Sequence, residues 1–185
     1  MSLTEKQKML RGELYQGWDA ELAHDRAQAK KRCHQLNLTC PTDISTRRDI
    51  IATIFGFTSD AHIESPFYCD YGYNTTFGKS FYANHGCTIL DCAKVMIGDN
   101  CLLGPGVIIA TPNHPLDPIS RAAGDEIAHT ITIGNDVWLA ANVTVCPGVT
   151  IGDNVIVGAG STVTKDLPAN TLCVGSPAVP IRSIT

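Results

Sequence analysis

The stretch "IGNDVWLAANVTVCPGVTIGDNVIVGAGSTVTKDLP", Ile133 to Pro168, decides the fold because it divides into consecutive blocks of six residues. Each block opens with Ile, Leu or Val, a small residue often follows, and the fifth place is often Val. A period of six fits neither the three-and-four spacing of an amphipathic helix nor the alternation of an ordinary strand. It fits a chain that runs straight, turns and runs straight again, with one aliphatic side chain pointing inward on each side.

The same period appears before this stretch. The blocks IGDNCL, LGPGVI and IATPNH run from Ile97 to His114, and less regular blocks begin at Phe77. Three sides close a triangular coil of about eighteen residues, and stacked coils pair as parallel strands about 4.8 Å apart. The sequence therefore predicts a mainly β protein built as a parallel β-helix of hexapeptide repeats. The spacing leaves the hand of the coil open.

The period breaks between the two repeat regions. Leu116 to Thr130 lacks the regular aliphatic residues and carries Pro, Asp, Arg and Gly, and His114 lies directly at the break. We predict a loop over about residues 115–130 that leaves the coil, after which the coil resumes. Long excursions from a compact scaffold are usually functional.

The N-terminal part of the chain lacks the repeat and shows helix signals. Thr4 and Gln7 have the spacing of a capping box, and Asp19 can cap a second helix from about Ala20 to Leu36. Arg47 to Phe55 carries apolar residues at helical spacing. We predict two or three helices that pack against the open end or a side of the coil and cover its exposed edge.

This reading divides the chain into an N-terminal helical segment, 1–58, and a β-helix domain, 59–185. The first part carries nine Lys or Arg and seven Asp or Glu, and the second carries five Lys or Arg and eleven Asp or Glu. Binding to nucleic-acid phosphates needs clustered cations, so this balance argues against a nucleic-acid surface. No run approaches the ~18 apolar residues of a membrane span.

Other features favour a cytoplasmic protein. The first ten residues, MSLTEKQKML, are charged and carry no apolar segment, so we expect no signal peptide. The eight cysteines are scattered without a CxxC pair. We therefore expect reduced thiols that act as small buried apolar residues.

Several segments along the chain carry a resemblance to a known family. They are GELY (12–15), CDYGYN (69–74), FYAN (81–84), HPLDP (114–118), TIGNDVW (132–138), VTKDLPAN (163–170) and GSPA (175–178). Together they resemble the maltose and galactoside O-acetyltransferases, which are hexapeptide-repeat acyltransferases, over nearly the whole chain. The resemblance looks closest to the maltose branch. It implies a left-handed coil, acetyl-CoA as co-substrate, a sugar acceptor and a homotrimer with active sites between subunits.

The resemblance implies two catalytic residues. An alcohol is a poor nucleophile at neutral pH, and histidine, with an ordinary pKa near ~6.5, can take its proton and later protonate the leaving thiolate. His114 matches the general base of the family; a histidine taken alone at this place is more often a loop cap. Asn84 matches a position proposed to donate a hydrogen bond to the tetrahedral intermediate. Its alternative is an asparagine ladder in the coil.

The resemblance also suggests residues for the two substrates. Carboxylates accept hydrogen bonds from sugar hydroxyls and aromatic faces pack on sugar rings, so the acceptor residues are Asp70, Tyr82, Asp91 and Asp19. Cys92 stands where some galactoside enzymes carry a second acid. The matching cofactor-binding positions are Trp138, Ala141, Ala159, Thr164, Lys165 and Arg182, of which the two cations suit phosphates. Val179 stands where relatives often place another base.

Other functions stay open on the residues. A zinc enzyme of the carbonic-anhydrase type uses this coil with three His ligands. Here His85, His114 and His129 lie near its middle, but no neighbouring pair completes a ligand set, so we expect no metal. A catalytically silent scaffold is another class. Among enzymes, serine, an antibiotic or an amino sugar are alternative acceptors.

Overall fold

The structure is a computed structural model that describes residues 2–184, and it confirms the predicted parallel β-helix. The helices are α1 (Glu5–Leu10), α2 (Ala20–Leu38), α3 (Ile44–Phe55) and α4 (Pro118–Ala122). The strands before the break are β1 (Tyr15–Gln16), β2 (His62–Ile63), β3 (Tyr68–Cys69), β4 (Thr75–Phe77), β5 (Tyr82–Ala83), β6 (Thr88–Leu90), β7 (Val95–Ile97), β8 (Leu102–Leu103) and β9 (Ile108–Ala110). The remaining strands are β10 (Pro112–Asn113), β11 (Asp125–Ala128), β12 (Ile131–Ile133), β13 (Trp138–Leu139), β14 (Thr144–Val145), β15 (Thr150–Ile151), β16 (Ile156–Val157), β17 (Thr162–Val163), β18 (Thr171–Gly175) and β19 (Ala178–Ser183).

The coil has three faces, each a sheet of parallel strands. The β4 face contains β4, β7, β12 and β15; the β6 face contains β3, β6, β9, β14 and β17. The β5 face contains β2, β5, β8, β13, β16 and β18, and β19 closes it by pairing antiparallel with β18. The last strand pair therefore ends the stack of coils.

The pairing register measures the length of each coil. Trp138 pairs with Ile156, eighteen residues on, as the repeat predicts. Tyr82 pairs with Leu102, so an early coil is two residues longer. Leu102 itself pairs with Trp138, thirty-six residues on, because this coil includes the break in the repeat. The break therefore inserts the length of one extra coil without shifting the faces.

The aliphatic positions of the repeat fill the interior, with one correction. Val137 and Leu139 are both buried, and Trp138 between them points outward. The prediction of one inward aliphatic residue per side was wrong. The fifth residue of one block and the first residue of the next lie two apart on the same strand, so both point inward.

The small residues at the second position allow the coils to stack closely. A Cβ atom on Gly134 would lie 2.7 Å from the backbone nitrogen of Asp153 in the next coil. The fourth position has a different requirement, because it takes the left-handed conformation that Asn, Asp and Gly tolerate best. Residues with positive φ at this position are Asn100, Gly106, Asp136, Asn142, Gly148, Asn154 and Gly160.

The N-terminal helices form at the predicted caps. Thr4 and Gln7 make the capping box of α1, and the Asp19 carboxylate caps α2. The third helix begins at Ile44, three residues before the predicted start, because the Asp43 side chain accepts a hydrogen bond from the Thr46 N–H. Along residues 2–184, no helix combines the length and the apolar character needed to cross a membrane.

Helices α2 and α3 pack against the coil and share its hydrophobic core. Cys33 and Leu36 from α2 and Phe55 from α3 belong to the same buried cluster as the aliphatic residues inside the coil. Phe55 meets Phe77 edge to face, with ring centroids 4.9 Å apart. This agrees with the predicted role of the helices as a cover.

The break in the repeat is more ordered than the predicted loop. We call residues 112–130 the excursion; it contains β10, α4 and β11. Strand β11 pairs antiparallel with β10 and also with β1 from the N-terminal segment, where Gln16 lies opposite Asp125. Sequence patterns do not detect strands this short, because their order comes from partners that are distant in the chain.

Candidate functional site

His114 lies on the excursion with its side chain exposed. Its Nδ1 atom is 3.5 Å from the carbonyl oxygen of Asp125, and its backbone N–H donates to Asn113 Oδ1 at 2.9 Å. A carbonyl oxygen only accepts, so the Nδ1 contact requires the proton to be on Nδ1. In the neutral imidazole, Nε2 is then the unprotonated ring nitrogen, which is the atom that a general base uses.

The excursion is held in place by its own polar contacts. The Ser120 hydroxyl donates to Asp125 Oδ2 at 2.5 Å, and Asp117 caps α4 by accepting from the Ser120 N–H. The Arg121 guanidinium donates to the carbonyl oxygens of Pro115 and Leu116 at 3.1 and 3.2 Å. With the pairing of β11 to β1, these contacts fix the backbone on both sides of His114.

An open groove of about 640 Å³ runs along the β5 face. We call it the cofactor groove after the predicted role of Trp138, Ala141 and Ala159, which line it together with Asn84. Its other lining residues are Gly104, Pro105, Ala140, Ile156, Gly158 and Leu172. A floor of small residues beside one exposed indole fits a thin, partly apolar chain. His114 is not among the residues that line this groove.

Asn84 is oriented by a single contact. Its Oδ1 accepts the backbone N–H of His85 at 2.7 Å, and the backbone N–H of Asn84 donates to the Leu103 carbonyl. The side-chain NH₂ group makes no hydrogen bond within residues 2–184. Asn84 therefore presents a fixed donor at one end of the groove, and the asparagine-ladder alternative does not match this geometry.

The other predicted cofactor-binding residues, which include the two cations expected to contact phosphates, lie near the C-terminal end of the coil. Thr164, Lys165 and Arg182 are all exposed. Arg182 lies opposite Leu172, which lines the cofactor groove. The described part of the chain gives Lys165 and Arg182 no ion-pair partner, so both charges face solvent.

Asp70 lines a second cavity, of about 460 Å³, which lies against α2 and which we call the helix pocket. Its lining residues are Lys30, Cys33, His34, Asn37, Tyr68, Cys69, Asp70 and Leu90. Burial raises the pKa of Asp70; a hydrogen bond from the Cys92 thiol and the charges of Arg26 and Lys30 partly oppose this. Asp70 is thus a half-buried carboxyl that a hydroxyl group can reach through the pocket.

Asp70 is connected to the excursion by neighbouring side chains. Cys92 Sγ donates to Asp70 Oδ2 at 3.7 Å, and Cys92 shares a buried cluster with Tyr15. The Tyr15 hydroxyl donates to Glu126 Oε2 at 2.6 Å. Glu126 follows Asp125, the residue whose carbonyl contacts His114, so Asp70 and His114 border the same corner of the protein.

Sequence reasoning missed two charged residues at this corner, Glu126 and Arg26. The Arg26 guanidinium donates to the Tyr71 hydroxyl at 2.7 Å and to the Gly17 carbonyl at 2.6 Å. Glu126 lies in the segment that was predicted only as a loop. The sequence carries no local signal for Glu126, because it directly follows another acid, Asp125, in the segment GDEIAH (124–129).

Two further predicted acceptor residues have different surroundings. Asp19 Oδ1 accepts the backbone N–H groups of Glu21 and Leu22, so this carboxylate serves as a helix cap. Tyr82 points outward on the same strand face as Asn84 and stacks on His62, with ring centroids 5.7 Å apart. Tyr82 therefore lies on the β5 face close to Asn84, but it lines neither the cofactor groove nor the pocket that contains Asp70.

Asp91 requires a correction, because its side chain is 0% exposed. The Tyr71 N–H donates to Oδ1 at 2.9 Å, and the Thr75 hydroxyl donates to Oδ2 at 3.0 Å. Both carboxyl oxygens are thus used inside the coil, which leaves no surface for a sugar. The sequence pattern alone did not show whether the side chain of Asp91 points into the coil or towards solvent.

Burial raises the pKa of Asp91 to about 6. A raised pKa means that protonation favours the folded state, so this stability is lost as the pH rises through about 6. Asp91→Asn keeps the shape of the side chain without its charge. We expect the free energy of unfolding of this variant, relative to that of wild type, to be higher at pH 7 than at pH 4.5 by about 2 kcal/mol. Urea unfolding at both pH values measures this, and an equal difference at the two pH values would contradict it.

No group of three or more His, Cys, Asp or Glu side chains that could hold a metal ion occurs in residues 2–184. His85, one of the candidates for a zinc site, instead contacts the carbonyl oxygen of Ser65 through Nδ1 at 2.6 Å. The donor set of a three-histidine zinc site is therefore not assembled within this part of the chain.

Comparison with known families agrees with both parts of the architecture. Residues 8–58 match the maltose acetyltransferase hexapeptide capping motif. Residues 130–165 match the bacterial transferase hexapeptide family of six repeats, and residues 94–112 match the hexapeptide repeat of succinyl-transferase.

Named relatives cover nearly the whole chain. The galactoside O-acetyltransferase of Escherichia coli is 37% identical over 185 residues, which is 100% of this chain and 91% of the relative. The crystal structure of a maltose O-acetyltransferase from Clostridium difficile 630 matches with a TM-score of 0.97 and 42% identity, over 100% of both chains.

Two similar structures contain the acyl carrier. A galactoside acetyltransferase in complex with coenzyme A matches with a TM-score of 0.94 and 37% identity, over 100% of this chain and 92% of that one. A hexapeptide-repeat acetyltransferase of Vibrio cholerae complexed with acetyl coenzyme A matches with a TM-score of 0.90 and 35% identity, over 99% of this chain and 100% of that one.

Proposed function

Because the chain belongs to the acetyltransferase family that contains the maltose and galactoside O-acetyltransferases, we propose that it transfers the acetyl group of acetyl-CoA to a hydroxyl of a sugar, with His114 as general base. One observation carries the proposal. The cofactor groove joins a fixed amide donor, Asn84, to a floor of small residues and one exposed indole, while the excursion presents a histidine with Nε2 free.

His114 is proposed to act on the acceptor hydroxyl. Nε2 takes the hydroxyl proton while the oxygen attacks the carbonyl carbon of the thioester, which makes the new C–O bond. The C–S bond then breaks, and the same nitrogen returns the proton to the leaving thiolate. A positioned base of this kind contributes roughly 10²- to 10⁴-fold to such reactions.

Asn84 is proposed to stabilise the negative charge on the former carbonyl oxygen. Its Oδ1 is tied to the His85 N–H, so its NH₂ group is oriented before the reaction begins. A preorganised donor helps most where charge develops in the transition state. The donor then costs no reorganisation during the reaction.

The two catalytic residues are proposed to meet across an interface between copies of this chain, as in a homotrimer. His114 does not line the cofactor groove of its own chain. The excursion exposes Leu116 and Ile119 by 96% and 79%, and the groove exposes Trp138 and lies beside Leu102. Apolar surfaces of this kind are covered in stable assemblies. The excursion of one copy then places His114 over the groove of its neighbour.

Asp70 and Glu126 are proposed to bind the acceptor. They border the corner that carries His114, and carboxylates accept hydrogen bonds from sugar hydroxyls. Release of thiol from acetyl-CoA, measured with a panel of acceptors, tests the function. Turnover with maltose, glucose or a galactoside supports it. Turnover only with serine, an amino sugar or an antibiotic contradicts the sugar assignment, and no thiol release with any acceptor contradicts the enzyme.

Lys165 is proposed to contact a phosphate of coenzyme A. Lys165→Ala should raise the KM for acetyl-CoA by roughly tenfold, because a charge-assisted contact is worth about 1–2 kcal/mol, and should leave the KM for the acceptor nearly unchanged. Steady-state kinetics with each substrate varied in turn measure both values. Lys79→Ala, which removes an exposed lysine far along the coil, is the control. Equal changes in the two KM values would argue against the phosphate contact.

A further inference from the structure

Two cysteine side chains meet beneath helix α2. Cys33 on α2 and Cys69 at the end of β3 are 2% and 5% exposed, and their Sγ atoms are 3.6 Å apart. Each thiol is thus the hydrogen-bond partner of the other. The sequence alone does not predict this contact, because the two positions are thirty-six residues apart.

Among the hydrogen bonds within residues 2–184, this is the only one that joins two sulfur atoms. The thiols of Cys87, Cys92 and Cys101 donate to oxygen atoms, and those of Cys40 and Cys173 contact threonine hydroxyls. The Cys33–Cys69 pair therefore differs from these other cysteines, because the partner of each sulfur is a second sulfur.

The pair is accessible to small molecules. Both cysteines line the helix pocket, a cavity of about 460 Å³ that also reaches Tyr68 and Asp70. A molecule of a few atoms can enter this volume and reach sulfur without unfolding of the helix. Buried thiols in solid core lack such a route.

The two thiols differ in acidity. The hydrogen bond from Cys69 lowers the pKa of Cys33, although burial opposes this, and the same bond with burial raises the pKa of Cys69. Either sulfur can be the donor in this contact, and we take Cys33 as the attacking thiol because its pKa is the lowered one and the thiolate is the reactive form of cysteine. Cys69 is then the resolving thiol beside it.

We propose that Cys33 and Cys69 form an oxidisable dithiol site that a small hydroperoxide converts to a disulfide. The Cys33 thiolate attacks one peroxide oxygen, the O–O bond breaks, and Cys33 becomes a sulfenic acid with release of water or alcohol. The Cys69 sulfur then displaces the sulfenic hydroxyl, which leaves as water. Both sulfurs are oxidised and the peroxide is reduced, so the step needs no other reagent.

The new bond links α2 to the coil. A disulfide has an S–S distance of about 2.05 Å, so the sulfurs must approach by roughly 1.5 Å. The cross-link closes a loop of thirty-six residues, which restricts the unfolded chain. We expect the thermal midpoint to rise by roughly 5–10 °C. Cys69 precedes Asp70, so the bond also fixes the strand end beside the pocket.

The test is treatment of the full-length protein with hydrogen peroxide, followed by alkylation, digestion without reductant and mass spectrometry. The expected product is a peptide pair linked through Cys33 and Cys69 that a reductant separates. The exposed thiol of Cys40 reports that enough oxidant was present. Free, alkylated Cys33 and Cys69 after oxidation of Cys40, or a sulfinic acid at Cys33 without the cross-link, would overturn the proposal.

Matched variants complete the test. Cys40→Ser should still form the cross-link and show the higher thermal midpoint after oxidation. Cys33→Ser should show neither. The wild-type peptide map decides the question even if Cys33→Ser folds poorly, and a rise in midpoint that persists in a folded Cys33→Ser protein would count against this pair. None of these readouts depends on acetyl transfer.

Discussion

Replacement of His114 by alanine is expected to lower kcat by roughly 10²- to 10⁴-fold. The side chain is exposed, and within residues 2–184 its ring makes one hydrogen bond, the 3.5 Å contact with the Asp125 carbonyl. Its loss therefore removes a base without opening a cavity in the core. Thiol release at saturating acetyl-CoA and acceptor measures the effect.

The control for this variant is His129→Ala. His129 is another exposed histidine at the far end of the same excursion. It should retain turnover within a few-fold of wild type, and both variants should unfold at nearly the wild-type temperature. Near-normal turnover in His114→Ala would exclude His114 as the base. An equal loss in both variants would point to a disturbed excursion.

The second large effect is expected at Asn84. Asn84→Asp keeps the oxygen that accepts the His85 N–H but replaces the NH₂ donor by a second oxygen. Loss of one oxyanion donor typically lowers kcat by roughly 10²- to 10³-fold. Since the contact forms in the transition state, the KM values should change much less. Steady-state kinetics separate these effects.

Asn84→Ala is the companion variant. It removes both the donor and the contact to His85, so a donor role predicts a loss of kcat similar to that of Asn84→Asp. If Asn84→Asp were nearly as active as wild type while Asn84→Ala were not, the residue would serve to hold the His85 backbone. The transition-state role would then be wrong.

The period of six was sufficient to predict the coil. Val137, Leu139 and Val145 are buried where the blocks place aliphatic residues, because each block meets the same surroundings as the block one coil away. Local signals were also sufficient for the helix caps, since Thr4 and Asp19 act within one turn of their own positions. Features set by neighbours in sequence, or by a regular repeat, were therefore predictable.

Features set by distant contacts were not predictable. Strand β11 is ordered by β1, more than one hundred residues away. The burial of Asp91 depends on Tyr71 and Thr75 in the preceding coil. The thiol contact between Cys33 and Cys69 needs α2 to lie on the coil. No spacing rule contains these contacts.

The candidate site shows the same division. Trp138, Ala141 and Ala159 were named together by the family resemblance, and because they belong to the repeat, the register of the coil brings them into one groove. Arg26 lies on an N-terminal helix and Glu126 lies on the excursion. Neither segment by itself predicts that the two residues lie at the same corner of the protein. A family resemblance supplied roles for single positions, whereas the contacts between them came from the structure.

The central claim is that His114 of one copy acts at the groove of another. Mixing of His114→Ala and Asn84→Ala subunits, by joint unfolding and refolding, tests it most directly. In a random mixture about one quarter of shared sites regain both residues, so activity should return to about that fraction of wild type. Activity no greater than that of the two separate variants, in mixed assemblies of native size, would contradict the claim.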